Sequence, residues 1–437
     1  MHILYFHLYF STPNGASGLR SYHMARQLVR EGHSVTMVCG SCGAGDTGLD
    51  GAFVRGRRSG IVDGIRVIEF DFSYSNRDRF VKRAATFLRY AASSVRVGLK
   101  EGCDLAFATT TPLTAGIPGI ALRWLARKPF VFEVRDLWPE LPREMGVIKN
   151  PVVLGLMSAL EWTSYRSATR CVALSPGIAA GIARRGVAPS KIAMIPNASD
   201  PELFRKAARA PWRPPGVEKD DLMAIFTGAH GIANGLDAVL DAAASLKHRG
   251  RRDIKLVLVG DGLLKDQLIG RAEQEDLDNV VFLDTVKKAE LAGLMASADL
   301  GIQCLANVPA FYFGTSPNKF FDYLAAGLPV LNNYPGWLAE LIAQHDCGFA
   351  VPPENPDAFA DALEQAADDR AMLARKGERA ARLAQERFQR STLAEHWVAW
   401  VTRGEQPTVT DVPSPGHAPS TRHVPDPAGP RRVEEAL

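Results

Sequence analysis

Short apolar runs alternate with amphipathic stretches along the first two hundred residues. Ile3 to Tyr9 reads as a buried strand, Ser11 to Gly18 as a Gly/Ser/Pro loop, Leu19 to Glu31 as an amphipathic helix and Val35 to Val38 as a second strand. That is a βαβ opening. Further strands are expected at Ile65–Phe70, Leu105–Ala108, Phe130–Val134 and Arg170–Leu174, with a helix over Pro151–Ser167, giving a parallel α/β domain that ends near Pro201. After the Pro-rich crossing Ala210 to Gly216 the pattern restarts. Strands are expected at Met223–Thr227, Lys255–Val259, Val280–Phe282 and Leu300–Cys304, between helices at Leu236–Lys247, Leu263–Gln274 and Lys288–Ala296. The expected fold is α/β: two Rossmann-like domains, 1–205 and 206–403, facing each other across a cleft, with ligand at the carboxyl ends of the strands.

Composition changes at the end. Seven of the 28 prolines fall within residues 404–437, which contain no Phe, Trp or Tyr, so a disordered tail is expected there. The rest is ordinary globular composition: 437 residues, 46% hydrophobic and 23% charged. The net charge of +3 conceals a division, because residues 1–200 carry 25 Lys and Arg against 15 Asp and Glu, and residues 201–437 carry 26 against 33. A basic half joined to an acidic half fits one face meeting an anionic surface better than it fits a nucleic-acid partner, and none is expected. Six scattered cysteines, of which only Cys39 and Cys42 are closely spaced, read as thiols of a reducing compartment. Neither a signal peptide nor a membrane span is expected.

Candidate chemistry gathers in four segments. In Ser316-Pro-Asn-Lys-Phe-Phe-Asp322, Ser316 reads as an N-cap, Pro317 as the first helical residue and Gly327 as the stop. Lys319 and Asp322, three apart, would share a face near the positive helix end, where amides and ammonium can hold a diphosphate while the carboxylate takes sugar hydroxyls. The plainer reading is a surface ion pair. The Gly-rich loop after Thr227 offers Gly228, His230 and Gly231, and the strand-end turn Gly260-Asp-Gly262 offers Gly260. In the amino half, Asn14 to Gly18 presents Gly15 and Gly18 at the acceptor side. The cluster Phe132-Glu-Val-Arg-Asp-Leu-Trp-Pro-Glu140 places Glu133, Arg135 and Asp136 at a strand end, either as a salt-bridge network or as an active site with Asp136 facing substrate.

These residues resemble retaining glycosyltransferases of family 4 with the GT-B fold, and within them the bacterial amino-sugar transferases of O-antigen and capsule synthesis, of N-acetyl-L-fucosamine type. The resemblance runs from residue 1 to about 403. It rests on Thr111-Pro-Leu-Thr-Ala-Gly-Ile-Pro118, Glu133-Val-Arg-Asp-Leu-Trp-Pro-Glu140, Ile195-Pro-Asn197 with Asp200, Thr227-Gly-Ala-His-Gly231, and Ser316-Pro-Asn-Lys319 with Asp322. It implies a UDP-sugar donor held by the carboxyl-terminal domain at Gly228, His230, Gly231, Gly260, Ser316, Asn318, Lys319 and Asp322. The implied acceptor is a polyprenyl-diphosphate-linked sugar on the amino-terminal domain, with Asp136, Arg135 and Glu133 as the catalytic group. The family's two glutamates before Ala-Ala-Gly fall on Gly314 and Asp322, and the Arg and Lys of its phosphate loop are Ala229 and Asn234 here. Lys319, His230 and loop amides are therefore expected to meet the phosphate charge. No metal or other cofactor is expected, since the Asp276-Leu-Asp278 pair lies away from a cleft-facing loop.

Between Arg77 and Lys100, seven basic residues and one acid interleave with Phe80, Val81, Phe87, Leu88, Tyr90 and Val95 at helical spacing. Such a helix can lie on an anionic leaflet, which implies a cytoplasmic protein associated peripherally with the inner membrane face. Two other functions remain: a sugar-nucleotide 2-epimerase, which would need no acceptor, and a catalytically inactive nucleotide-sugar-binding partner.

Overall fold

The computed structural model describes residues 1–15, 18–41, 45–72, 80–207 and 210–407. The expected tail from residue 408 onward, Cys42, Arg77, Asp78 and Arg79 lie outside them. Two sheets form the frame. The first comprises β1 (His2–Phe6), β2 (Ser34–Gly40), β3 (Arg57–Val62), β4 (Ile65–Phe70), β5 (Leu105–Thr109), β6 (Phe130–Val134), β7 (Arg170–Ala173) and β8 (Ile192–Met194), in the order β3-β4-β2-β1-β5-β6-β7-β8. Helices α1 (Arg20–Arg30), α2 (Phe80–Glu101), α3 (Gly116–Leu125), α4 (Glu140–Glu144), α5 (Pro151–Ser167) and α6 (Pro176–Arg184) intervene. The domain is not parallel throughout, as the sequence pattern suggested, because β3 runs antiparallel to β4 at the edge. The cause is a two-residue turn, Asp63-Gly64, with both residues at positive φ, the hairpin signal that an Asp-Gly pair gives between strands.

After α7 (Pro201–Ala207) the second sheet uses β9 (Leu222–Thr227), β10 (Ile254–Val259), β11 (Val280–Leu283), β12 (Leu300–Gln303), β13 (Val330–Asn332) and β14 (Gly348–Ala350). Their order is β11-β10-β9-β12-β13-β14, parallel throughout. The central strands are almost wholly apolar, Lys255 on β10 apart, as in parallel sheets covered on both faces. The cover comes from α8 (Asp237–His248), α9 (Lys265–Gln274), α10 (Lys288–Met295), α11 (Pro309–Gly314), α12 (Asn318–Ala325), α13 (Trp337–His345), α14 (Pro356–Asp368) and α15 (Arg370–Arg387), and the chain then enters α16 (Arg390–Arg403). Strand order reverses between β1 and β5 in the first sheet and between β9 and β12 in the second, and crevices at such points accept ligands.

The chain passes between the halves twice, side by side. Ser199 donates its amide to the Phe388 carbonyl (3.1 Å) and accepts from the Arg390 amide (3.0 Å), and the Arg390 guanidinium holds Asp200 at 2.8 Å. Consequently α7 packs on α10 of the second half, whereas α16, which the sequence pattern grouped with residues 206–403, returns to pack on α1 of the first. The Pro-rich segment is itself tied to the second half, through Trp212 Nε1 to the Glu290 carbonyl (3.0 Å) and Arg213 to Asp299 (3.2 Å).

One buried charge fixes this arrangement. Glu133, fully buried on β6, accepts from Arg20 Nε of α1 (3.0 Å), Thr109 Oγ1 of β5 (2.8 Å) and Trp397 Nε1 of α16 (3.1 Å), and lies 3.4 Å from Arg135 Nε. Arg20, also buried, donates onward to the Pro196 and Ile195 carbonyls (2.6 and 2.9 Å) at the domain crossing. Burial alone would raise the Glu133 pKa, but the two guanidinium groups and the Arg20 and Thr109 hydrogen bonds hold it below the usual carboxylate range. The stability this carboxylate contributes is thus present above about pH 4 and is lost as pH falls through its folded-state pKa. Arg20→Met would leave the buried carboxylate with the more distant Arg135 as its one remaining cation, so a destabilisation of about 3 kcal/mol is expected in urea unfolding at neutral pH; a loss under about 1 kcal/mol would contradict the role given to this pair.

Candidate functional site

In the second half the loops leaving β9 and β10 are laid against one another. Gly228 and Gly260 adopt φ of +148° and +146°, and a Cβ on Gly260 would fall 1.9 Å from the Gly228 carbonyl oxygen. Only glycine admits that approach. Thr227, at the end of β9, donates its amide to the hydroxyl of Tyr323 on α12 (2.9 Å), which fixes the loop against that helix.

Lys319 stands at the start of α12. Its Nζ donates to Asn234 Oδ1 (2.8 Å) and lies 3.8 Å from the centre of the Phe226 ring. Among the described residues no carboxylate pairs with it. Protein surrounds the ammonium closely enough that desolvation lowers its pKa to about 7. A Cβ on Gly228 would reach within 3.5 Å of Nζ, so the bare glycine leaves space beside the cation. The i,i+3 pair read from the sequence does not form. Asp322, nearly buried, instead accepts from Ser199 Oγ (2.7 Å) and is ion-paired with Lys288 of α10. The helix also begins later than expected. Ser316 is not its N-cap: the serine hydroxyl accepts from the Asn197 amide (3.0 Å) while Asn197 Nδ2 donates to the Ser316 carbonyl (2.6 Å), and Asn318 is the first helical residue, itself exposed. The stop is as read: Gly327, at φ +74°, follows the last turn, with Gly327 N–H to Leu324 O (3.0 Å) and Leu328 N–H to Tyr323 O (2.9 Å).

His230, expected to meet phosphate charge, does not present its ring to the cleft. It is fully buried between Phe226 and Phe282, ring centres about 6 Å away, and neither ring nitrogen has a partner. Burial, with help from Lys265 and Lys319, lowers its pKa to about 4, so it is neutral at physiological pH. What the segment does offer is backbone: His230 N–H bonds the Asp261 carbonyl (2.9 Å) and its own carbonyl takes the Leu264 amide (2.9 Å), which leaves Gly231 at the loop's turn toward Ile232–Asn234.

Across the cleft, Glu133 is sealed within the network described above and cannot reach a substrate, which corrects the catalytic part the sequence suggested for it. Arg135 is mostly committed as well, with Nε to Thr109 Oγ1 (2.9 Å) and a terminal nitrogen to Ser21 Oγ (2.8 Å). Asp136 is different. It is partly exposed, accepts only a long bond from Thr111 Oγ1 (3.3 Å) among the described residues, and burial raises its pKa against the opposing effects of that bond and of Arg135. Of the acceptor-side glycines, Gly15 donates its amide to the Thr12 carbonyl (3.1 Å), and a Cβ on Gly18 would meet the Asn318 side chain at 3.5 Å. The loop before α1 in the first half therefore comes near the start of α12 in the second, with room for little more than a methyl group between them. Beside it, Leu137, Glu140 and Glu144 face Pro309, Phe313 and Gly314 across an opening of about 260 Å³, and Glu144 accepts from the Ala310 amide (2.9 Å).

Comparison with known proteins agrees with this geometry. The family described as glycosyl transferases group 1 matches residues 210–383, and the glycosyl transferase 4-like domain matches residues 15–198. The two matches take in both sheets and together support a glycosyltransferase of the group 1 type. An uncharacterized glycosyltransferase of Methanocaldococcus jannaschii is 26% identical over 57% of this chain, a stretch that spans 63% of that relative's length. Among solved structures, sucrose-phosphate synthase from Thermosynechococcus elongatus superposes with a TM-score of 0.71 at 18% identity, over 91% of this chain and 97% of its own. Anabaena HepE in complex with UDP-glucose superposes with a TM-score of 0.65 at 19% identity, over 93% and 100%. These likenesses establish the two-domain GT-B fold.

Several residues that shape the site gave no signal of their own in the sequence. Arg20, Thr109 and Trp397 lie far apart in the chain and meet only on Glu133, and Lys288 meets Asp322 only because α7 and α10 pack together. Asn234, noted only as the absence of a basic residue, anchors Lys319. Since the β9 and β10 loops approach one another through Gly228 and Gly260, Gly260→Ala is expected to force them apart, lowering the thermal midpoint by several degrees in calorimetry. An unchanged midpoint would contradict the close approach of these loops.

Proposed function

We propose that the protein transfers a sugar, an N-acetylated amino sugar, from a UDP-sugar donor to a lipid-linked glycan precursor in cell-surface polysaccharide synthesis, with retention at the anomeric carbon. The observation that carries this reading is Lys319: a cation without a carboxylate partner among the described residues, beside glycine loops at the reversal point of the second sheet. Such a place suits a diphosphate, which supplies the missing counter-charge. The complexes of HepE with UDP and UDP-glucose support UDP as the donor nucleotide. Asp322 stands one turn on, where exchanging a protein partner for ribose hydroxyls would complete the nucleotide site.

In this mechanism the bond from the anomeric carbon to the diphosphate oxygen breaks first, and Lys319 with the loop amides stabilises the charge that develops on the leaving group. The acceptor hydroxyl attacks from the face the diphosphate leaves, and its proton passes to a phosphate oxygen. Asp136, at the end of β6, orients the acceptor hydroxyl. The reading calls on no metal. Among the described residues no helix is long and apolar enough to cross a membrane. We place the protein at the cytoplasmic face of the membrane, with the basic residues of α2 toward an anionic leaflet. That helix spans Phe80–Glu101 with Val81 and Leu88 exposed, while Tyr90 is buried and bonds the Val38 carbonyl (2.8 Å).

The deciding experiment incubates the protein with a panel of UDP-sugars and a short-chain GlcNAc-diphosphate-lipid, following product mass and UDP release together. Release that requires acceptor and yields the glycosylated lipid is expected. Release without acceptor would point to the epimerase, and binding without turnover to the inactive partner.

Two narrower outcomes follow from the site. Binding of a diphosphate ester requires the Lys319 ammonium, whose pKa of about 7 in the free protein means that protons are lost above neutrality. Affinity for UDP-glucose is expected to fall by up to about tenfold per pH unit above 7, with proton uptake on binding. Lys319→Met should weaken binding about tenfold or more and flatten that profile, whereas His230→Phe should leave the affinity within about twofold, since the neutral ring contributes no charge. Asp136→Asn should lower kcat by up to about 10²-fold, the cost of a misplaced acceptor hydroxyl, with little change in KM for the donor; a matching rise in KM would place Asp136 in donor binding instead.

A further inference from the structure

The outward face of α5 is unusual for a helix on the surface of a globular domain. Such helices turn charged residues to solvent and apolar ones to the core. Here the only charged residues in the 17-residue helix are Glu161 and Arg166, and Glu161 is buried against Arg185 (2.7 Å). Val152 and Leu156, one turn apart, are each 68% exposed, and Trp162 is 51% exposed nearer the other edge of the solvent-facing side, about 120° around the helix from Leu156. The neighbouring helix α3 continues the feature. Its last residues, Trp124 and Leu125, are 66% and 72% exposed, and Trp124 Nε1 donates to Ser167 Oγ at the end of α5 (2.9 Å), which holds the indole at the junction of the two helices. Among the described residues of the second half, the exposed large apolar side chains are Ile232 and Leu263, so this surface belongs to one domain.

We propose that the outer faces of α3 and α5 form a docking surface for an anionic lipid leaflet, with the two tryptophans and the α5 aliphatic residues seated among headgroups and upper acyl chains. The surface deepens the reading above, since it rests on the acceptor being lipid-linked. Charge selects this occupant. Arg123, Arg127 and Lys128 border the apolar face at the end of α3, and Lys149 and Arg166 flank α5. The carboxylates on the packed layer of α2, α3 and α5 are neutralised within the protein, Glu101 by Arg66 (2.5 Å) and Glu161 by Arg185. A twofold contact with a second copy would set this basic border against itself, whereas anionic headgroups complement it and tryptophan favours that depth. In the chain, residues 145–150 alone separate α5 from α4, whose Glu140 and Glu144 line the interdomain opening.

The test uses the full chain with vesicles of phosphatidylcholine alone or equimolar with phosphatidylglycerol. Flotation with the mixed vesicles is expected, with weak flotation on phosphatidylcholine alone. The exposed double substitution Leu156→Asp with Trp162→Ser should reduce partitioning about tenfold or more while leaving the thermal midpoint, the affinity for UDP-glucose and turnover of a water-soluble short-chain acceptor unchanged. A second variant, Trp124→Phe with Trp162→Phe, should still float but lose most of the vesicle-induced shift in tryptophan emission. Equal flotation of wild type and the Leu156→Asp, Trp162→Ser variant would overturn the proposal, as would a wild-type dimer in sedimentation that the same variant dissolves. Failure of glycosyl transfer is read separately: vesicle binding without turnover of any acceptor would reject the transferase reading and retain the surface, and turnover without vesicle binding would do the reverse.

Discussion

A carboxylate sealed in the interior must find donors or lose its charge, and Glu133 finds them on three distant parts of the chain and on Arg135, two residues along its own strand end. Because α1, β5, β6 and α16 all contribute, and because Arg20 also binds the carbonyls at Ile195 and Pro196, the ion sets the position of the first helix, the carboxyl edge of the first sheet and the place where the chain crosses between halves. A buried pair of this kind adds little net stability compared with apolar residues of the same volume. What it supplies is a single permitted arrangement, since any displacement of one element strands a charge. The stacked rings of Tyr5 and Trp397, 6.0 Å apart beside it, add apolar contact without competing for those donors.

The functional cleft inherits its geometry from that constraint. Asp136 and Arg135 follow Glu133 on the same strand end, and Ser21, which receives the Arg135 guanidinium, follows Arg20 on α1. The Gly18 loop precedes α1 and comes near Asn318 at the start of α12. From the buried ion, hydrogen bonds lead through Arg20 to the Ile195 and Pro196 carbonyls, and the tie between Asn197 and Ser316 carries the crossing segment over to the residues just before Lys319. The residues expected from sequence to do chemistry divide along this line: those behind it hold the structure, and Asp136 and Lys319 stand in front.

Much of this was legible in the sequence because parallel α/β domains announce themselves through continuous apolar strands and glycine-rich turns. The ranges Ile65–Phe70, Phe130–Val134 and Pro151–Ser167 match the elements found. The antiparallel β3 was not read, although Asp63-Gly64 carried its turn, because Arg57–Val62 exposes alternate residues at a sheet edge and lacks a buried apolar run. Side-chain partners were less legible than elements. Nothing local distinguishes a glutamate that meets four donors from one that faces a substrate, and the difference arises from residues as distant as Arg20 and Trp397. His230 misled for the opposite reason: its position in a glycine loop suggested a phosphate contact, but the flanking Phe226 and Phe282 draw the ring inward.

The second half carries a net excess of acid, with 33 carboxylate residues against 26 basic ones in residues 201–437, yet the proposed ligand is an anion. Among the described residues the structure resolves this by pairing many bases with carboxylates while holding Lys319 without one beside the loops after β9. Arg249, Arg251 and Arg271 each bind two or more carboxylates. Lys319 is held by an amide oxygen and an aromatic face, neither of which cancels its charge, in surroundings that make the charge costly. A diphosphate entering that space would face an attraction little screened by water, and the same desolvation that disfavours the bare ammonium would strengthen the pair once formed. Overall charge is therefore a poor guide to this site: a single unpaired cation in a poorly solvated pocket outweighs a surface excess of acid that water and salt screen within about 10 Å.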